Sequence, residues 1–250
     1  VKEDQLTGLP SKTIRCGVPQ SDQGNLVYTS DLTSTMTGSQ RRAYDDVLKG
    51  YREQHATEDM RGKALAVLQQ LREISLHPRL RHEAELMTND GDSARTVMTE
   101  SAKLAVLLAS LDAIKSKGEK VILFMVTKRL QRLLKLWLDQ IYGLDIAIIN
   151  GDTAAVSKKS DVLSRKQLIT QFEAAESFNV LIMSPVAAGV GLTVVGANNV
   201  IHLERHWNPA KEAQASDRVY RIGQEKPVNI HLPAVLHPEF DSFDVHLDRL

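Results

Sequence analysis

Apolar and polar positions follow a helical period in the first hundred residues. Tyr44, Val47, Leu48 and Tyr51 stand at i, i+3, i+4 and i+7 and predict a helix from Ser39 to about Tyr51, with Gly38-Ser39-Gln40-Arg41 as its start. A second helix is predicted from about Lys63 to Leu76, with Leu65, Leu68 and Leu71 on one side and Pro78 helping to end it. Residues 1 to about 30 carry the turn formers Gly8, Pro10, Gly17, Pro19 and Gly24 and suggest no regular element. Residues 82–98 are polar, contain Asn89-Asp90-Gly91-Asp92, and read as a loop.

Beyond residue 99 the period alternates between strand and helix. A helix carrying Leu104, Leu107, Leu108 and Leu111 is closed by Gly118, and the six apolar residues Val121 to Val126 follow. That run is apolar on both faces, as a central parallel strand requires. The next helix carries Leu130, Leu133, Leu134, Trp137 and Ile141, with Trp137 expected in the core. Further strands are predicted at Leu144–Ile149, Val180–Met183, Val200–Leu203 and Val228–Leu232, with helices at about 165–175 and 209–220. The alternation predicts an α/β fold, a parallel sheet with helices on both faces, preceded by a small helical appendage over 31–98.

Composition narrows the class. The 250 residues suffice for one large domain or one domain with an appendage, and 31 basic residues balance 31 acidic ones. With no global excess of positive charge, any nucleic-acid contact must come from a local patch. Cys16 is the single cysteine, so no internal disulfide forms, no Cys/His set has zinc spacing, and a reducing compartment is expected. No apolar run is long enough to span a bilayer.

Chemistry gathers at predicted strand ends. Ser184-Pro-Val-Ala-Ala-Gly189-Val-Gly191-Leu192-Thr193 follows a strand, where glycines let backbone approach a ligand. In Gln214-Ala-Ser-Asp217-Arg218-Val-Tyr-Arg221-Ile-Gly-Gln224, a helical reading puts Gln214, Arg218 and Arg221 on one face. Guanidiniums so placed suit phosphate oxygens; the plainer alternative is a solvated, salt-bridged face. Thr127-Lys128-Arg129 opens a helix after the first core strand, and a hydroxyl, two cations and free N–H groups there make a phosphate site. Asn150-Gly151-Asp152-Thr153 ends the next strand, followed by the local basic cluster Lys158, Lys159, Arg165 and Lys166, which is either a solvated loop or a nucleic-acid contact. Trp207 is either partly exposed after its strand or packed on the next helix. His77 reads as structural or capping. His202 and His206 span a strand and a turn and do not make a metal pair.

These strings resemble the Swi/Snf-type DNA translocases of helicase superfamily two, in the C-terminal, RecA-like lobe. The eleven-residue stretch Gln214–Gln224 is similar to their sixth motif at every position, and Ser184–Thr193 is similar to the fifth, with departures at Pro185, Ala188 and Thr193. Leu71-Arg72-Glu73-Ile74-Ser75-Leu76-His77-Pro78, the Asn150–Thr153 turn and Trp207-Asn208-Pro209 also resemble family strings. The resemblance implies that Arg218 and Arg221 are fingers on ATP. It implies that Gln214 and Asp217 orient them, and that Gly189 and Gly191 shape the floor of the nucleotide site. Thr127, Lys128, Arg129, Asn150, Gly151 and Trp207 would face duplex DNA.

It further implies ATP with magnesium as cofactor. No phosphate loop or paired acidic motif occurs in this chain, so the resemblance places the magnesium ligands on a missing first lobe. Residues 1–30 would be the connection from that lobe, 99–235 the RecA-like lobe and 236–250 a tail as in bacterial members. Alone the chain is expected to be inactive. The implied partners are duplex DNA, the N-terminal lobe of the same protein, and proteins of a DNA repair or defence system. The implied compartment is the bacterial cytoplasm, or the nucleus in a eukaryote. A non-catalytic docking module that keeps the fold and a strand-separating RNA or DNA helicase lobe are the alternative readings.

Overall fold

A computed structural model describes residues 12–15, 27–36, 38–53, 60–154, 163–188, 192–219 and 226–249. Among these, seven strands form one sheet: β1 (Lys12–Arg15), β2 (Val27–Thr35), β3 (Val121–Phe124), β4 (Ala147–Ile149), β5 (Val180–Met183), β6 (Asn199–His202) and β7 (Val228–Leu236). Their order is β1-β2-β7-β6-β3-β5-β4, with β1 antiparallel to β2 and every other pairing parallel. The central β3 is buried along its whole length, as its unbroken apolar run demands. Its last residue, Phe124, is in register with Met183 of β5 and His202 of β6, so these strands end at one level. That level is the carboxyl edge where open α/β sheets bind ligands.

Alternation along β3 divides the core in two. Val121 and Leu123 join Leu107, Leu111, Leu134 and Trp137 from α4 (Ala102–Ser116) and α5 (Lys128–Tyr142). Ile122 and Phe124 face the other way, onto Phe172 of α6 (Arg165–Ala174), Ala187 of α7 (Pro185–Ala188) and Ala215 of α8 (Pro209–Ser216). Helices therefore cover both faces, as predicted. Trp137 is fully buried, and its indole N–H donates to Leu86 C=O at 2.9 Å, so burial leaves no polar group unpaired.

The flank forms a third cluster. Tyr44 of α1 (Gly38–Glu53), Leu71 of α2 (Met60–Leu76), Val235 of β7, and Phe243 and Leu247 of α9 (Phe243–Asp248) pack together with Met36. A buried ion pair, Lys103 Nζ to Asp244 Oδ2 at 2.6 Å, fixes α9 to α4. The expected boundary at residue 30 falls inside β2, which pairs with β7 along its length.

Several expectations are corrected. The stretch 82–98 is not a loop: it holds a 3₁₀ turn at Glu83–Leu86 and α3 (Gly91–Thr99). Asp90 caps α3, its side chain accepting from Ser93 N–H at 2.8 Å. Gly91 lets α3 lie directly on α5, since a Cβ there would meet Gln140 O at 2.9 Å. Leu65 and Leu68 do not share the burial of Leu71; they are 67% and 42% exposed. β7 runs four residues past Leu232, and β4 covers only the last three residues of its predicted span. The predicted helix 209–220 is shorter. α8 ends at Ser216, and the chain goes on through tight turns, Arg218 N–H to Ala215 C=O and Val219 N–H to Ser216 C=O.

Candidate functional site

At the end of β6 the chain carries Glu204, a buried carboxylate one residue past Leu203. Its Oε2 accepts from the backbone N–H groups of Val126 and Thr127 at 2.8 and 2.7 Å, and its Oε1 accepts from Thr127 Oγ1 at 2.9 Å. This overturns one step of the sequence argument. The N–H groups and hydroxyl leading into α5 are not free for a phosphate, because the protein supplies its own anion. Arg72 of α2 compensates that charge, with Nη2 2.7 Å from Glu204 Oε1. The contact is ionic only: Arg72 Nε and Nη2 are buried without a hydrogen bond.

Other predicted residues of this edge do come together. Lys128 Nζ, half-exposed, reaches Asp152 Oδ1 at 2.7 Å. The Asn150–Thr153 turn closes on itself, with Asp152 N–H donating to Asn150 Oδ1 at 2.9 Å and Asn150 N–H to Thr153 Oγ1 at 3.0 Å. Asn150 Nδ2 also donates to Gln131 Oε1 of α5 at 2.7 Å. Arg165 donates to the Thr153 and Asn150 carbonyls at 3.0 and 3.2 Å, so this member of the basic cluster braces the turn. Gly151 is exposed with open space around it. Arg129 points aside, donating to Leu80 O at 3.3 Å and lying 3.4 Å from Glu83 Oε2. Lys158 and Lys159 lie outside the described residues.

Trp207 is 46% exposed. Phe243 of α9 meets its ring edge-on with centroids 5.4 Å apart, and the Arg72 guanidinium carbon lies 5.7 Å from its centroid. The edge of the sheet and both flanking helices thus meet at one ring.

The nucleotide half of the prediction is only partly described: Gly189, Gly191 and Arg221 lie outside the described residues. Around them, Val194 N–H donates to Arg218 C=O at 3.1 Å, joining the segment that leaves β5 to the end of α8. Gln214 and Asp217 are exposed, and Arg218 is half-buried. Asn208 caps α8, its side chain accepting from Ala210 N–H at 3.0 Å, with Pro209 as the first helical residue. Buried Glu212 bridges back to Arg205 at 2.8 Å.

His202 and His77 have structural partners. His202 is buried against Phe124, with Nε2 2.7 Å from Ser216 Oγ, and burial pushes its pKa down to about 4. His77 accepts from Arg79 N–H at Nδ1 and donates through Nε2 to Val97 O at 3.0 Å; burial lowers its pKa. Among the described residues, no group of three or more His, Cys, Asp or Glu could hold a metal ion, and no helix is long and apolar enough to cross a membrane.

Glu204 and Arg72 are the residues that sequence reasoning passed over.

Comparison with known proteins agrees with this arrangement. Residues 102–223 match the family described as the helicase conserved C-terminal domain. The Zorya protein ZorD of Escherichia coli is 37% identical over 221 residues, 86% of this chain and 19% of that protein. The putative ATP-dependent helicase/translocase YwqA of Bacillus subtilis is 31% identical over 220 residues, 88% of this chain and 20% of that protein. The chain thus spans about a fifth of the length of these relatives. The Sulfolobus solfataricus SWI2/SNF2 ATPase core in complex with double-stranded DNA has the same fold, with a TM-score of 0.65, 24% identity, and coverage of 83% of this chain and 41% of that one.

Proposed function

We propose that this chain works as one lobe of a two-lobe, ATP-driven motor on duplex DNA, and the premise is its family: it belongs to the helicase C-terminal domain family as a Swi/Snf-type C-terminal lobe. The observation that carries the reading is the Val194–Arg218 backbone bond. It joins the segment between α7 and β6 to the turn that follows α8, so a ligand meeting one of these segments would lie close to the other. In this reading Arg218 and Arg221 reach the phosphates of an ATP held mainly by another lobe. Gln214 and Asp217 orient them, and Gly189 and Gly191 leave room for the nucleotide.

Bound ATP with magnesium supplies the phosphoryl transfer itself. The chain's arginines fit the charge that develops on the phosphates. In this reading the magnesium ligands belong to the other lobe.

The same edge, further along, faces DNA. Lys128 contributes charge to the phosphate backbone, Gly151 an open approach on a turn that Asn150 braces, Thr127 a helix start that Glu204 holds in place, and Trp207 an exposed ring. Closing of the lobes on nucleotide and their release after hydrolysis shift the grip along the strand. The partners of this reading are duplex DNA, the other lobe, and proteins of a DNA repair or defence system.

Displacement of a third strand from a duplex–triplex substrate by the intact protein tests it. The expected result is ATP-dependent displacement with the duplex left paired. Strand separation would favour a helicase, and no ATP-dependent displacement would favour a docking module.

A further inference from the structure

From the geometry around Glu204 we propose that Arg72 is a positioning residue. It holds the Trp207 ring in a fixed relation to the start of α5 and so ties movement of α2 to the DNA-facing edge. The inference rests on the reading that Trp207 meets DNA.

Three observations carry it. Arg72 is 9% exposed, and its charge is met by Glu204 at 2.7 Å, across an interval of 132 residues of sequence. Glu204 uses its remaining acceptor capacity on Val126 N–H, Thr127 N–H and Thr127 Oγ1, which fixes the way β3 passes into α5. The guanidinium that completes this cluster also lies 5.7 Å from the Trp207 ring centroid. One side chain of the flank therefore touches both the carboxylate that sets the α5 start and the ring that emerges beside it.

Stability alone does not account for such a pair. A buried ion pair is commonly no more stabilising than apolar residues of the same volume, whereas it imposes one geometry on its partners. Phe243 supports the ring from α9, so the ring sits between two elements of the flank and registers any displacement of either.

The test uses the intact protein labelled with 5-fluorotryptophan. The Trp207 resonance is identified by its loss in Trp207→Phe. The variants are Arg72→Met, Arg72→Lys, and Arg72→Met combined with Glu204→Gln, which removes the uncompensated carboxylate and guards against a folding defect. Third-strand displacement per ATP hydrolysed is measured alongside. Both methionine variants should move the Trp207 resonance. They should lower displacement per ATP roughly fivefold while changing turnover by less than about twofold. Arg72→Lys, which keeps a cation beside the carboxylate and the ring, should restore most of the coupling. Arg72→Met should add nothing to Trp207→Ala.

An unmoved resonance, or an effect that adds fully to that of Trp207→Ala, overturns the role of Arg72 while leaving Trp207 as a DNA contact. A moved resonance with unchanged coupling in Trp207→Ala itself overturns the DNA role of Trp207 and, with it, the coupling assigned to Arg72.

Discussion

Where β3, β4 and β6 end, side chains hold side chains: Glu204 with Arg72 and Thr127, Lys128 with Asp152, Asn150 with Gln131. Between α7 and β6 and just past α8, the join is a backbone bond from Val194 to Arg218, with the side chains of Gln214 and Asp217 exposed. The first half of the edge is shaped before any ligand arrives. The second half keeps polar side chains outward, as a surface completed by another body would. The difference matches the two tasks proposed: a standing grip on DNA, and a share of a nucleotide site that exists only when two lobes meet.

Breaking the second half should have the larger effect on chemistry. Arg218→Ala or Arg221→Ala in the intact protein should lower ATP turnover on the order of 10³-fold, as loss of an arginine finger does. Duplex affinity without nucleotide should be unchanged; steady-state hydrolysis and a binding titration check both. If either substitution weakened DNA binding as strongly as turnover, the division of the edge would fail.

Breaking the first half should act on stability. Glu204→Ala leaves two N–H groups and a hydroxyl without their acceptor and a buried guanidinium without its counter-ion, at a cost of about 3 kcal/mol. Chemical denaturation measures it, and a loss within experimental error would show that water replaces the carboxylate at no penalty.

Acid should weaken the support beneath the edge. Burial holds the pKa of His202 at about 4, against 6.5 for a free imidazole. The unfolded chain therefore binds a proton that the folded chain refuses. The contribution of neutral His202 is complete above about pH 6.5 and is lost as pH falls towards 4, by about 1.4 kcal/mol per pH unit. His231, also pushed down to about 4, adds a second such slope. His202→Gln should flatten the acid limb of stability against pH by one proton, and an unchanged limb would contradict the assignment.

The smallest effect separates two neighbouring cations. Each phosphate contact contributes a log–log salt slope of roughly 0.9, so Lys128→Ala should flatten the salt dependence of duplex binding by about that amount. Arg129→Ala should flatten it less, because its guanidinium is held by Leu80 O and the partly buried Glu83, whereas the Asp152 partner of Lys128 is itself exposed. Equal effects would mean that Arg129 swings out to DNA.

The sheet was legible because β3 and β5 are apolar on both faces, and no surface strand has that pattern. Trp137 was legible as core from its place in the α5 stripe. α3 was misread because Asn89-Asp90-Gly91-Asp92 looks like a turn, yet Asp90 is a helix cap and Ala94 and Met98 form the buried stripe behind it. β2 escaped because its polar Thr and Ser residues hide a strand that only its pairing with β7 explains. The arginine segment could be read as a string, but its geometry could not: α8 stops at Ser216, before Arg218. Glu204 was invisible as an anchor because its partner lies 132 residues away on α2. No local pattern announces a buried charge that is paired at such a distance.

The most direct test of a shared nucleotide site is ATP hydrolysis by this chain alone, purified and assayed with magnesium, with and without duplex DNA, beside the intact protein. The account predicts background hydrolysis by the chain under both conditions and DNA-stimulated hydrolysis by the intact protein. DNA-stimulated turnover by the chain alone would contradict it.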